Sequence, residues 1–143
     1  MQKVLFFSAD RKFNFNKKKK LKQFIEKLFA TEKKSLESIT YVFCSDEYLL
    51  EINKKFLQHN YYTDIITFDL SNSNQIIGEV YVSIDRIKEN IKSLRTTIDS
   101  ESLRVIFHGA LHLCGYKDKT KKDISIMRAK EDFYLSNFIK FTY

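Results

Sequence analysis

Hydrophobic and polar positions change period along the chain, and each change marks an element. The run "KVLFF" near the start is short, apolar and bounded by polar residues, which predicts a first strand. From Lys17 to Phe29 the apolar positions Leu21, Phe24, Ile25, Leu28 and Phe29 recur at helical spacing. "ITYVFCS" predicts a second strand, after which Asp46 is placed to cap a helix containing Tyr48, Leu49, Ile52 and Phe56. "DIITFDL" and "GEVYVS" read as the third and fourth strands, separated by the polar "SNSNQ" turn. A short helix follows over Ile84 to Lys92. The next runs from about Ser100 to Cys114, with Gly115 as a left-handed cap. Leu103, Phe107, Ala110, Leu111 and Cys114 give that helix one apolar face, and Val105, Ile106 and Leu113 extend it nearly all round. A helix of this kind belongs in the interior. A last helix starts at Thr120, with Asp123 completing a variant capping box, and runs to about Lys140.

These elements predict an α+β fold. A mixed sheet of about four strands is packed with helices, and the central buried helix carries His108 and His112. The length of 143 residues fits one domain spanning 1–143 with a substantial core. Hydrophobic residues make up 43% of the chain, aromatic residues 15% and charged residues 30%, a globular balance. No apolar run is long enough to span a membrane, and the N-terminal residues lack the apolar stretch of a signal peptide; a cytoplasmic location is expected. Cys44 and Cys114 are too few for a disulfide framework. The formal charge of +7 favours a polyanionic partner, but in a chain rich in lysine throughout it argues only weakly for nucleic acid.

The chemistry concentrates in "HGALHLCGYKD", His108 to Asp118. Histidines four apart share a helix face and can aim both imidazoles at one point. On a nearly all-apolar helix both need partners: carbonyls in a core role, or a metal. Gly115 lets the chain turn back, so that Asp118 can offer an oxygen to the same point. The layout His-x3-His-x2-Gly-x2-Asp supplies two imidazoles and one carboxylate, with a fourth position open, as expected of a catalytic zinc site. The spacing also matches zinc proteases of the metzincin type. Those need a glutamate directly after the first histidine, where this chain has Gly109.

The same stretch resembles the signature of the YbeY family of rRNA maturation endoribonucleases, His-Gly-x-Leu-His-Leu-x-Gly-Tyr-Asp-His. His108, Gly109, Leu111, His112, Leu113, Gly115 and Tyr116 match in place. Upstream, "INKKFLQHNYYTDIITF" is similar to a second family segment through Asn53, Phe56, Thr63, Asp64 and Phe68, and "GEVYVS" is similar to a family strand. The resemblance implies a compact α+β domain binding one Zn2+ ion. It also implies cleavage of single-stranded RNA in 16S rRNA 3′-end maturation and ribosome quality control. His108 and His112 take the first two ligand positions. Asp118 stands at the third-histidine position, Lys117 at the family's preceding aspartate, and Leu57 at an arginine of the upstream segment.

Other residues are weighed by their nearness to this stretch. Arg104 lies four before His108 and can grip a phosphate, while Lys117 and Lys119 flank Asp118 and can hold an RNA backbone. His59 lies two residues beyond Leu57, either as a loop histidine, as a compensating group, or as an alternative third ligand. The Lys17 to Lys20 run reads as the exposed start of a helix, Thr63 and Asp64 as turn or substrate-side residues. Cys114 reads as a packing group, and Tyr116 as a residue that packs against the central helix or stacks on a base. The favoured function is a zinc-dependent endoribonuclease acting on the single-stranded 16S precursor. The alternative is a ribosome-assembly factor that binds rRNA or a small-subunit ribosomal protein around a structural metal.

Overall fold

The computed structural model describes residues 2–72 and 74–142. Its elements are β1 (Val4–Ser8), α1 (Lys18–Thr31), β2 (Leu36–Cys44), α2 (Asp46–Leu57), β3 (Ile65–Asp69), β4 (Ile76–Ser83), α3 (Ile84–Asn90), α4 (Ile98–Leu113) and α5 (Lys121–Thr142). The strands form one mixed sheet in the order β1-β2-β4-β3. β1, β2 and β4 run parallel, and β3 closes one edge antiparallel to β4. The α+β architecture and the four strands are as the pattern predicts; the turn joining β3 to β4 contains Ser73, which lies outside the described residues.

Several element ends differ from expectation by one to three residues, α4 starting at Ile98 and α3 ending at Asn90, and the cap of α2 differs as well. Ser45, not Asp46, caps α2: its hydroxyl accepts from the Tyr48 N–H at 3.1 Å. Asp46 is the first helical residue, and its carboxylate accepts instead from the Ser83 hydroxyl and Arg86, each at 2.8 Å. Two partners on other elements outcompete the local cap. The capping box of α5 does form. Asp123 N–H donates to Thr120 Oγ1 at 3.0 Å, and Thr120 N–H donates back to Asp123 Oδ2 at 3.5 Å.

The core is built around α4, whose Leu103, Val105, Ile106, Phe107, Ala110, Leu111 and Leu113 are all buried. α4 lies against the sheet through two glycines. A Cβ on Gly109 would meet Val80 Cγ1 at 2.8 Å, and one on Gly78 would meet Leu113 Cδ1 at 2.4 Å. Tyr41, fully buried in β2, fixes the contact by donating from its hydroxyl to the Ile106 carbonyl at 2.9 Å. The helix ends in a Schellman turn: Tyr116 N–H donates to Leu111 O at 3.1 Å and Gly115 N–H to His112 O at 3.0 Å. Gly115 takes φ +107°, a conformation side chains disfavour. That turn sends the chain back toward the face on which the histidines stand.

Candidate metal centre

His108 and His112, one helical turn apart on α4, stand with ring centres 4.5 Å apart and planes at 84°. Asp118 comes back over them from the loop beyond Gly115. Its Oδ2 lies 3.2 Å from His108 Nε2 and 3.3 Å from His112 Nε2. The three ligand atoms lie within 4.8 Å of one another, and no other such group occurs among the described residues. A tetrahedral centre with bonds of about 2.0–2.2 Å spaces its ligand atoms by roughly 3.3–3.6 Å. The observed separations from the carboxylate match that spacing.

The outer nitrogens of both rings fix which inner atoms are available. His108 Nδ1 lies 2.6 Å from Glu131 Oε2, and an ionised carboxylate only accepts, so Nδ1 is the donor. His112 Nδ1 lies 2.9 Å from the Tyr116 carbonyl, which likewise only accepts. In the neutral rings both Nε2 lone pairs are thereby turned inward, toward a carboxylate oxygen. Three acceptor atoms converging on one point call for a shared positive charge there, which a ring proton or a metal cation can supply. The donor set and its anchoring fit a metal ion.

Glu131 is the central partner of this arrangement. It stands on α5 in the buried stripe of Met127, Glu131, Tyr134 and Phe138, with its side chain 6% exposed. Its second oxygen accepts from Arg104 Nη1 at 2.8 Å. Burial favours the neutral acid, but His108 and Arg104 together hold the Glu131 carboxyl below its usual range. Burial likewise disfavours the charged His108 ring, yet the bond and charge of Glu131, then Asp118 and Asp64, raise its pKa overall. Nothing in the motif spacing pointed to Glu131. The available signal was an acid inside the apolar stripe of an amphipathic helix, where a carboxylate needs a partner.

A second carboxylate holds the other imidazole indirectly. Glu32, at the end of α1, accepts from the Tyr116 hydroxyl at 2.7 Å, from the Tyr134 hydroxyl, and from Lys130 Nζ at 3.2 Å. It thereby fixes the residue whose carbonyl orients His112. Tyr116 packs against the core, and Cys114 is buried with its thiol pushed up to about 12 by desolvation. Both are packing residues, as expected.

Two depressions meet at the cluster. One, of about 300 Å³, is lined on its far side by Glu101, Arg104, Met127 and Arg128. The other, of about 520 Å³, follows β3 past Thr63, Thr67 and Asp69. Asp64, Ile65, His108 and Asp118 line both. Burial raises the Asp64 carboxyl above its usual range against the pull of His108, and burial followed by Asp64 raises Glu101. The predicted residues distribute unevenly around this cleft. Arg104 lines it but is held by Glu131 and by Asp132 at 2.7 Å. Lys119 is exposed on the loop beside Asp118. Lys117 lines a separate depression with Gly115, Tyr116 and Asp123. His59 is exposed, stacked on Tyr61 with centroids 5.1 Å apart, and is not part of the metal-type cluster. Leu57 is 40% exposed at the end of α2. The lysine run opens α1, where Lys18 and Lys20 lie over the Phe13 and Phe141 rings.

Gly109, the position of a metzincin glutamate, faces Val80 and Ile65 rather than the cleft and has no room even for a methyl group. The site is therefore one of two histidines and an aspartate on an α+β scaffold, without a protease's adjacent base. The chain belongs to the YbeY family: the family profile described as Endoribonuclease YbeY matches residues 6–139. A protein of Cytophaga hutchinsonii named Endoribonuclease YbeY is 46% identical over 134 residues, covering 93% of this chain and 94% of the relative. One of the same name from Christiangramia forsetii is 41% identical, covering 92% of each. The solution structure of a Thermotoga maritima protein aligns with TM-score 0.63 at 27% identity, covering 94% of this chain and 88% of that one. Among the described residues no helix is long and apolar enough to cross a membrane.

Proposed function

We propose that the whole chain, 1–143, is a cytoplasmic zinc-dependent endoribonuclease that cleaves single-stranded RNA, with the 16S rRNA precursor as substrate in 3′-end maturation. The observation that carries the reading is the convergence of His108 Nε2, His112 Nε2 and Asp118 Oδ2 at separations suited to one cation, with both outer nitrogens anchored. Bound there, zinc supplies Lewis acidity toward a phosphoryl oxygen and so stabilises charge developing in phosphodiester cleavage. The chain's own residues do the rest. Glu131 and the Tyr116 carbonyl orient the two imidazoles, and Asp118 completes the ligand set. Asp64, its carboxyl raised by burial, faces the cleft as a group able to carry a proton. Lys119, and Lys117 from the adjoining depression, add positive charge at the rim for an RNA backbone. The nature of the product ends distinguishes attack by water from attack by a neighbouring 2′-hydroxyl.

The test is cleavage of a labelled single-stranded RNA by zinc-loaded protein. Cleavage is expected to vanish on chelation and in His112→Ala while circular dichroism stays native.

One observation favours a second reading, an assembly factor that binds rRNA or a small-subunit ribosomal protein around a structural metal. The cleft is walled by Asp64, Glu101, Asp118 and Glu131, and Leu57 offers no charge. Unfolding on chelation, with no cleavage under any condition, would establish that reading instead.

A further inference from the structure

We infer that Arg128 is the residue that grips a phosphate of bound RNA beside the metal centre. The inference rests on the endoribonuclease reading for its ligand, but it stands on the charge and bonding of the cleft. A polyanion entering a cleft lined by Asp64, Glu101, Asp118 and Glu131 needs an available cation, and the cavity beside His108 has two arginines, Arg104 and Arg128.

Arg104 is committed elsewhere. Both of its terminal nitrogens are bonded to carboxylates, Glu131 at 2.8 Å and Asp132 at 2.7 Å, and its side chain is 23% exposed. Turning it toward a ligand would strip the compensating charge from Glu131, which is buried and holds His108. Arg104 is part of the scaffold.

Arg128 is in the opposite condition. It stands one turn before Glu131 on α5, on the same helix face, and its side chain is 61% exposed. It makes one long ion pair, to Glu131 Oε1 at 3.7 Å, which is outside hydrogen-bond range and goes to the oxygen Arg104 already occupies. Among the described residues its guanidinium takes part in no hydrogen bond, so its planar fork of donors is free for bidentate contact with a phosphate. Neither Lys117 nor Lys119 lines this cavity. The RNA strand then crosses the metal centre with one phosphate on the α5 side, under Arg128, and continues along β3 past Thr63 and Thr67.

The test uses the zinc-loaded protein and a fluorescein-labelled, 2′-O-methylated single-stranded oligoribonucleotide whose integrity is checked on a gel after each titration. Binding is read by anisotropy across a salt series. Arg128→Gln is expected to raise Kd about tenfold and to reduce the slope of log Kd against log salt by about 0.7, one phosphate contact on a single strand. Arg128→Lys should recover part of the loss. Zinc affinity, measured against a chromophoric chelator, should stay at the wild-type value in Arg128→Gln and fall in Arg104→Gln. Unchanged Kd and salt slope in Arg128→Gln overturn the proposal. So does a loss of zinc affinity there, which would make the residue structural, or failure of the wild type to bind the oligonucleotide. Binding that depends on Arg128, with no cleavage of the unmodified strand, supports the phosphate grip and overturns the endoribonuclease reading.

Discussion

Glu131 and His108 share a hydrogen bond of 2.6 Å between α5 and α4, and this contact determines which ring nitrogen faces the cleft. Replacing the carboxylate by an amide, Glu131→Gln, weakens both the orientation of the imidazole and its basicity. Zinc affinity should fall by about 10–100-fold, the range for partners that orient metal-bound histidines. Competition with a chromophoric chelator measures it. Asp132→Ala removes the other contact of Arg104 without touching His108, so its zinc affinity should remain near wild type. Equal affinities in Glu131→Gln and wild type would remove Glu131 from the site.

Glu32 makes acid stability a second readout of the same architecture. Burial raises its carboxyl, but the Tyr134, Tyr116 and Lys130 bonds outweigh burial and hold it below the ordinary 4.5. A carboxyl lowered in the folded state adds stability above its unfolded value, and that stability is lost as pH falls through the lowered value. Glu32→Gln should therefore cost about 1–3 kcal/mol at pH 7, the scale for disrupting a buried bonded group. The gap to wild type should narrow steadily below about pH 4.5. Urea unfolding at pH 7 and at successively lower pH tests this; a constant gap would contradict it.

The elements around this site were legible because their signals are local. The heptad-like spacing of Leu21 to Phe29, the all-round apolarity of 103–114 and the Thr120–Asp123 box each specify their own structure within a few residues. His108, His112 and Asp118 were legible for the same reason, since one helical turn and one glycine bring them together. Glu131 and Glu32 were not. Their partners lie 23 and 84 residues away, and only the packing of α5 and α1 onto α4 creates the contacts. The availability of a cation depends equally on tertiary structure. Arg104 and Arg128 look alike in sequence, and they differ because one is hydrogen-bonded to two carboxylates and the other has only a 3.7 Å ion pair with Glu131. The cap of α2 moved from Asp46 to Ser45 because Ser83 and Arg86, from distant positions, claim the aspartate.

Gly109 links the site to the sheet. A methyl group there would stand 2.8 Å from Val80 Cγ1 and 3.1 Å from Ile65 Cδ1, with Val80 fully buried. Overpacking of this kind costs about 1–3 kcal/mol, against a helix-propensity gain of up to about 1 kcal/mol for alanine over glycine. Gly109→Ala should therefore lower the melting temperature by about 3–8 °C. The displaced helix carries His108, so zinc affinity should drop in the same variant. A melting temperature at or above wild type would mean that β4 gives way freely.

Asp118 is the proposed ligand that separates this chain from a three-histidine arrangement, and of the three candidate ligands it is the most open to exchange, with its side chain 43% exposed. Asp118→Ala leaves two imidazoles, and its zinc affinity should fall by more than the roughly 100-fold upper range for an orienting partner. Asp118→His supplies another nitrogen ligand and should retain zinc, with one negative charge fewer at the site. Linked stability gives an independent measurement. With free zinc at about 100 times the wild-type Kd, wild type should gain about 2.7 kcal/mol against unfolding. Asp118→Ala should gain less than half of that at the same zinc concentration, whereas Asp118→His should gain a comparable amount to wild type. Stabilisation of Asp118→Ala equal to wild type would show that the carboxylate is not a ligand and that its closeness to both imidazoles reflects ion pairing alone.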